Sequence, residues 1–198
     1  MQPYLQTTSF TCAASALLTV LHNTKKTKPS KENEFKIWKA TVNLPTRASS
    51  VYGLASYAHE QGLNPKIVVE NTKYDFPDYR FYRYTKQDIE QADFSAKLNL
   101  KKAKDKSIEI VQKSTTLENV KKELKNNIIL LRINTKPIRN EKRNTSNYIV
   151  VYNYQNNHYQ IVDPKLGTLS VPEKVMEEAF QTLETKKYRN HKMVLFSK

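Results

Sequence analysis

A single thiol sets the chemistry open to this chain. Cys12 is its one cysteine in 198 residues, and it stands in the stretch Gln6-Thr7-Thr8-Ser9-Phe10-Thr11-Cys12-Ala13-Ala14-Ser15-Ala16-Leu17-Leu18. Ser9 and Thr11 are good helix N-caps, and Ala13, Ala16, Leu17, Val20 and Leu21 follow at helical spacing. A thiol in the first turn of a helix faces unpaired backbone N–H groups and the positive end of the helix dipole. Both favour thiolate, the nucleophilic form. Gln6, six residues upstream, can offer an amide N–H to an oxyanion forming beside the sulfur. Taken alone, a lone helix cysteine is more often a small buried hydrophobe. The rest of the chain has to supply a nucleophile's partners.

A thiol nucleophile needs a general base within hydrogen-bond reach, and histidine is the usual one. Four histidines are present. His22 is ten residues along the same predicted helix, about 15 Å from Cys12. His59 belongs to a separate helix. His158 falls beside a hairpin turn, and His191, just before the last strand, is the candidate whose place the pattern leaves open.

The elements that would carry these residues read in order. A second helix runs from Ser30 to about Thr41, and a third from Val51 to Gln61, with Gly62 at the left-handed cap. Ile67 to Val69 is a short strand. Tyr74 to Tyr84 interleaves aromatics with Arg80 and Arg83, a pattern that either packs one face on the core or stacks on bases. Gln87 to Lys106 is an amphipathic helix, Ser107 to Val111 a strand and Leu117 to Lys125 a helix. Ile128 to Ile133 is a continuous apolar run, as in a strand buried on both faces. Thr135 to Ser146 is a polar, basic loop. Asn147 to Tyr154 and His158 to Asp163 form a hairpin about Gln155-Asn156-Asn157, a register that sets Asn147 opposite Asp163 and His158 opposite Tyr152. Another short strand, a helix from Pro172 to about Leu183 and a closing strand, Met193 to Phe196, complete the chain. Helices first and mainly antiparallel strands later make an α+β arrangement. It is expected as one domain over 1–198, helical to about residue 125 and sheet from about 126.

Composition narrows the function classes. The chain carries 33 Lys and Arg against 19 Asp and Glu, a net charge of +14. That surplus admits nucleic acid or an acidic surface as partner, with Tyr74 to Lys106 as the candidate region. The lysines are spread along the sequence, however, and no zinc-finger, RNP-like or P-loop motif accompanies them. No apolar run is long enough for a membrane span, no signal peptide is evident, and the expected location is the cytoplasm. One cysteine forms no internal disulfide. Nothing calls for a metal or a cofactor.

The combination resembles papain-like cysteine peptidases, and more closely the double-glycine leader peptidases of bacteriocin exporters and their stand-alone relatives. Gln6 and Cys12 match that family's Gln and its nucleophile at a helix start. Asn147-Tyr148-Ile149-Val150-Val151 and Asp163-Pro164 match its catalytic strand and the hairpin's return. Glu34 to Lys39 and Tyr52 to Ala58 look like helices of the stand-alone branch, so the resemblance covers nearly the whole chain. It implies a papain-like fold, thiol-based hydrolysis of a peptide or amide bond and a peptide or protein partner. By the same resemblance Cys12 is the nucleophile, Gln6 the oxyanion donor, and Asp163 the residue that orients an imidazole at position 147. The family's histidine falls on Asn147, which cannot accept a thiol proton near neutral pH. Two explanations stay open. Either the natural protein has lost or weakened catalysis and persists as a binding module, or Asn147 is a His-to-Asn substitution in an active thiol hydrolase. Ala13 stands where the family usually has glycine.

Overall fold

The computed structural model describes residues 1–74, 84–184 and 189–198. Arg80 and Arg83, with most of the aromatic-rich stretch, lie outside the described residues. In chain order the elements are α1 (Cys12–Lys25), α2 (Lys31–Thr41), α3 (Val51–Glu60), β1 (Pro65–Val69), α4 (Lys86–Asp105), β2 (Glu109–Gln112), α5 (Leu117–Leu124), β3 (Asn127–Asn134), α6 (Lys136–Arg139), β4 (Ser146–Gln155), β5 (His158–Asp163), β6 (Gly167–Pro172), α7 (Glu173–Gln181) and β7 (Lys192–Ser197).

The strands form a seven-stranded sheet ordered β2-β1-β7-β3-β4-β5-β6. Neighbours pair antiparallel, except that β1 and β2 pair in parallel, Lys66 with Glu109 through Val69 with Gln112. The α4 crossover between those two strands permits that parallel edge. It also brings two strands of the first 125 residues into the same sheet as the C-terminal third, in an α+β fold.

Apolar residues cover both faces. On one, α1 and α3 pack over Leu130, Tyr148, Val150, Val162 and Val194. On the other, α5 and α7 cover Ile129, Leu131, Ile133, Ile149 and Ile161. The continuous apolar run of β3 follows, because alternate residues enter opposite cores. Helix α1 is buried without interruption from Ala13 to Leu21, as expected of a helix apolar on every side. Its small residues let it lie close against β4, which fixes the level at which Cys12 emerges.

The hairpin register differs from the expected one. The turn is Asn156-Asn157, both left-handed with φ of 51° and 59°, so His158 pairs with Gln155 and not with Tyr152, three residues earlier. Left-handed φ at both turn positions is the two-residue geometry that matches strand twist. A bulge between Val151 and Asn153 then shifts the ladder, and Val150 faces Val162. Asp163 therefore does not stand opposite Asn147, and His158 does not stand opposite Tyr152.

Candidate active site

Residues Pro3–Thr11 carry Cys12 to its position, and Glu34 organises them. Glu34 is fully buried on α2. It accepts hydrogen bonds from Thr7 N (2.9 Å), Thr7 Oγ1 (2.6 Å), Thr11 Oγ1 (2.5 Å) and Tyr4 Oη (3.1 Å). Thr11 holds the N-cap position of α1 but makes no side-chain cap, because its hydroxyl serves Glu34. Burial first, and then the Glu34 charge, push the Tyr4 phenol up to about 12. Gln6 N donates to Pro164 O (2.8 Å), tying this loop to the end of β5. Hydrogen bonds to a charged acceptor are each worth about 1.5–3 kcal/mol. Glu34→Gln should lower the unfolding free energy by about 2–3 kcal/mol, read by urea denaturation. A loss under about 0.5 kcal/mol would show that the loop holds without this acceptor.

At the start of α1 the Asn147 amide lies 3.0 Å from Cys12 Sγ. With Oδ1 towards the sulfur, the amide nitrogen would face the Arg139 guanidinium, donor against donor. Turned over, Oδ1 accepts from Thr135 Oγ1 (3.0 Å) and Arg139 Nη1 (3.0 Å), and Nδ2 donates to Ser146 O (3.2 Å). The second orientation satisfies the surrounding groups, so an amide N–H faces the sulfur. Such a group can donate to a thiolate, but it cannot take the thiol's proton.

Behind Asn147, Arg139 Nε donates to Asp163 Oδ2 (2.9 Å). The Asp163 side chain is fully buried and that of Arg139 is 5% exposed. Asp163 Oδ1 accepts from the backbone N–H of Lys165 (2.8 Å) and of Leu166 (3.0 Å). The structure thus gathers Cys12, Asn147 and Asp163 into one network, but Arg139 joins the last two. Arg139 ends α6, a one-turn helix inside the stretch expected to be loop, and sequence reasoning missed it. Its only signal was a basic residue between two strands.

Gln6 is turned into its own loop: Nε2 donates to Thr8 O (2.8 Å), while Oε1 is buried with no partner among the described residues. Three of the four histidines make their contacts elsewhere. His22 contacts Thr27 O and Gln2 Oε1, and His158 contacts Asn156 O. His191, the candidate left open, is buried and stacked on Phe180. Its ring nitrogens lie 3.1 Å from Glu70 Oε1 and 2.9 Å from Phe180 O.

The Cys12 thiol is half-buried. Burial pushes its pKa up, and this outweighs the N–H groups of Tyr148 and Ala13 and the Arg139 charge, which pull it down. The helix start favours thiolate as expected, but desolvation outweighs it. In front of the sulfur opens a cavity of about 230 Å³, whose walls include Phe10, Ala13, Val51, Tyr52 and Tyr148.

The lysines proposed for a nucleic-acid surface are partly neutralised. Lys97 pairs with Asp93 (2.6 Å), and Lys102 and Lys106 with Glu60 (3.0 and 3.2 Å). Among the described residues no group of three His, Cys, Asp or Glu could hold a metal ion, and no helix is long and apolar enough to cross a membrane.

Comparisons with known proteins bear on the fold and the family. A solved double-glycine-motif protease from an AMS/PCAT transporter, in complex with its leader peptide, superposes with a TM-score of 0.51 over 99% of this chain and 91% of that one, at 15% identity. At that identity the likeness shows the papain-like fold. None of the curated proteins compared matches the chain. A family model described as "Peptidase_C39 like family" matches residues 1–197. With nearly every residue inside that match, the chain belongs to the peptidase C39-like family.

Proposed function

We propose that this chain is a C39-like protein whose Cys12 centre has lost its proton relay and whose cleft serves to bind a peptide segment. Cys12 stands as the ancestral nucleophile, Asn147 holds the place of the base, Asp163 that of its orienting carboxylate, and Gln6 that of the oxyanion donor. The observation that carries the reading is Arg139, hydrogen-bonded to Asp163 on one side and to the Asn147 amide on the other. A carboxylate occupied by a guanidinium and two backbone N–H groups does not orient an imidazole. An arginine that uses the Asn147 oxygen as acceptor fits asparagine as the natural residue there. This favours lost catalysis over a His-to-Asn substitution in an otherwise intact hydrolase. The peptide partner draws on the solved relative, which holds a leader peptide.

Alkylation of Cys12 by iodoacetamide across pH tests the missing base. With no imidazole partner and a pKa raised by burial, the thiolate fraction falls tenfold for each pH unit below that pKa. The rate should still be climbing at about pH 8.5, the ordinary thiol value. A plateau reached by about pH 5 would require a histidine-paired thiolate and overturn the reading.

A further inference from the structure

The cavity in front of Cys12 is walled on several sides by carbon. Phe10, Ala13, Val51, Ala96 and Tyr148 line it, contributed by the loop before α1, by α1, α3 and α4, and by β4. Polar side chains line it too, but several already bond within the protein. Ser49 Oγ accepts from Thr41 Oγ1 (3.0 Å), Asn43 Oδ1 from Asn99 Nδ2 (3.0 Å), and Ser146 Oγ from Arg132 Nε (2.8 Å). Water against apolar walls gives up hydrogen bonds that it would make in bulk. An apolar group that displaces such water gains affinity.

The size of the space and the nature of its walls together choose the group. The cavity holds about 230 Å³, and an apolar cavity of about 150 Å³ already holds a benzene ring. A phenyl or phenol ring therefore fits with its methylene, whereas glycine leaves the space to water. Three features favour a ring over a branched aliphatic chain. The Phe10 ring is held in place, its centroid 5.0 Å from that of Trp38 and 6.3 Å from that of Phe35. Aromatic pairs gain affinity beyond the area they bury. The Arg47 guanidinium, 5.1 Å from the Phe10 centroid, also lines the cavity and offers a cation to the face of a second ring. Cys12 lines the same space, and sulfur makes favourable contacts with ring edges.

We infer that the cleft selects peptide segments by one aromatic side chain, Phe or Tyr, seated against Phe10 in front of the Cys12 sulfur. The inference rests on the peptide-binding reading above and names the substrate class for that site. A double-glycine motif, for which the solved relative is named, would leave this cavity unfilled. Phe10 sets the selectivity, because it supplies the ring and because Trp38 and Phe35 keep that ring from turning aside.

The test uses unlabelled peptides of one host sequence, free of other aromatics, that carry Phe-Gly, Leu-Gly or Gly-Gly at the centre. Binding to the full chain is read by calorimetry. Occupancy of the cavity is read as protection of Cys12, the one cysteine, from iodoacetamide at about pH 8.5, followed by mass spectrometry. The Phe-Gly peptide should half-protect at a concentration about thirtyfold below that of Gly-Gly and about fivefold below that of Leu-Gly. Phe10→Leu keeps an apolar wall but removes its ring. It should bring the Phe-Gly and Leu-Gly peptides within about twofold of each other, with both still ahead of Gly-Gly. Should that variant misfold, Arg47→Gln, on an exposed side chain, should cut the preference for Phe over Leu to about half. Equal protection by Phe-Gly and Leu-Gly, or best protection by Gly-Gly, overturns the aromatic selectivity and leaves the peptide cleft standing. Binding without protection of Cys12 overturns the inference as well, since the peptide then sits elsewhere. Binding by none of the peptides overturns the peptide reading beneath it. A single-stranded oligonucleotide that protects Cys12 better than the Phe-Gly peptide also overturns the inference, because its bases would then be the rings the cavity takes.

Discussion

Arg139→Met lowers the unfolding free energy by about 3–5 kcal/mol, measured by urea denaturation. Asp163 is fully buried and Arg139 is the cation against it, so removing the guanidinium strands a carboxylate in the protein interior. The remaining bonds to Asp163 come from the backbone N–H of Lys165 and Leu166, which keep the turn but do not neutralise the charge. Removing one partner of a buried pair costs far more than removing both. Arg139→Met combined with Asp163→Asn should therefore regain most of the loss, since asparagine keeps an oxygen for the two N–H groups. If Arg139→Met costs under about 1 kcal/mol, or the two changes simply add, the pair is not the clamp described here.

Much of this arrangement was legible in the residues, and its limits have physical causes. The helix of Cys12, the two-faced strand β3 and the hairpin ending in Asp163-Pro164 follow from local periodicity and turn chemistry. Chain order and strand pairing then bring Cys12 to Asn147. The details that decide the chemistry are not local. Arg139 sits in a basic stretch that reads as solvated, and nothing nearby in sequence says that its side chain is 5% exposed. Its partner is 24 residues away and reaches it only when β5 returns alongside β4. His191 is the same kind of case, with Glu70 as its contact at 121 residues' separation. The hairpin register moved because Asn156 and Asn157 both take left-handed φ, which a turn spread over Gln155 to Asn157 does not anticipate. The thiol's direction of shift was missed for a related reason. Burial at the mouth of a cleft depends on what packs over the helix start, not on the helix itself.

Restoring a base to this site requires two changes, and the second is at Arg139. Asn147→His alone puts an imidazole where Nη1 of Arg139 now meets the Asn147 oxygen. The guanidinium opposes a protonated ring and keeps Asp163 from reaching it, so the single variant should alkylate within about threefold of the parent at about pH 6. Asn147→His with Arg139→Met frees the carboxylate to hold one ring nitrogen while the other faces Cys12 Sγ, the order of a Cys-His-Asp relay. A fall in thiol pKa of about three units raises the thiolate fraction about a thousandfold at that pH, and lower intrinsic nucleophilicity takes back about thirtyfold. The double variant should thus react about thirtyfold faster than the parent, and it should be more stable than Arg139→Met because the ring again partners Asp163. Arg139→Gln in the same background provides a second version if methionine does not fold. A folded double variant that reacts no faster than the parent would mean that positions 12, 147 and 163 cannot form a relay. A thirtyfold gain from Asn147→His alone would mean that Arg139 is no barrier, and the case for asparagine as its native partner would fail.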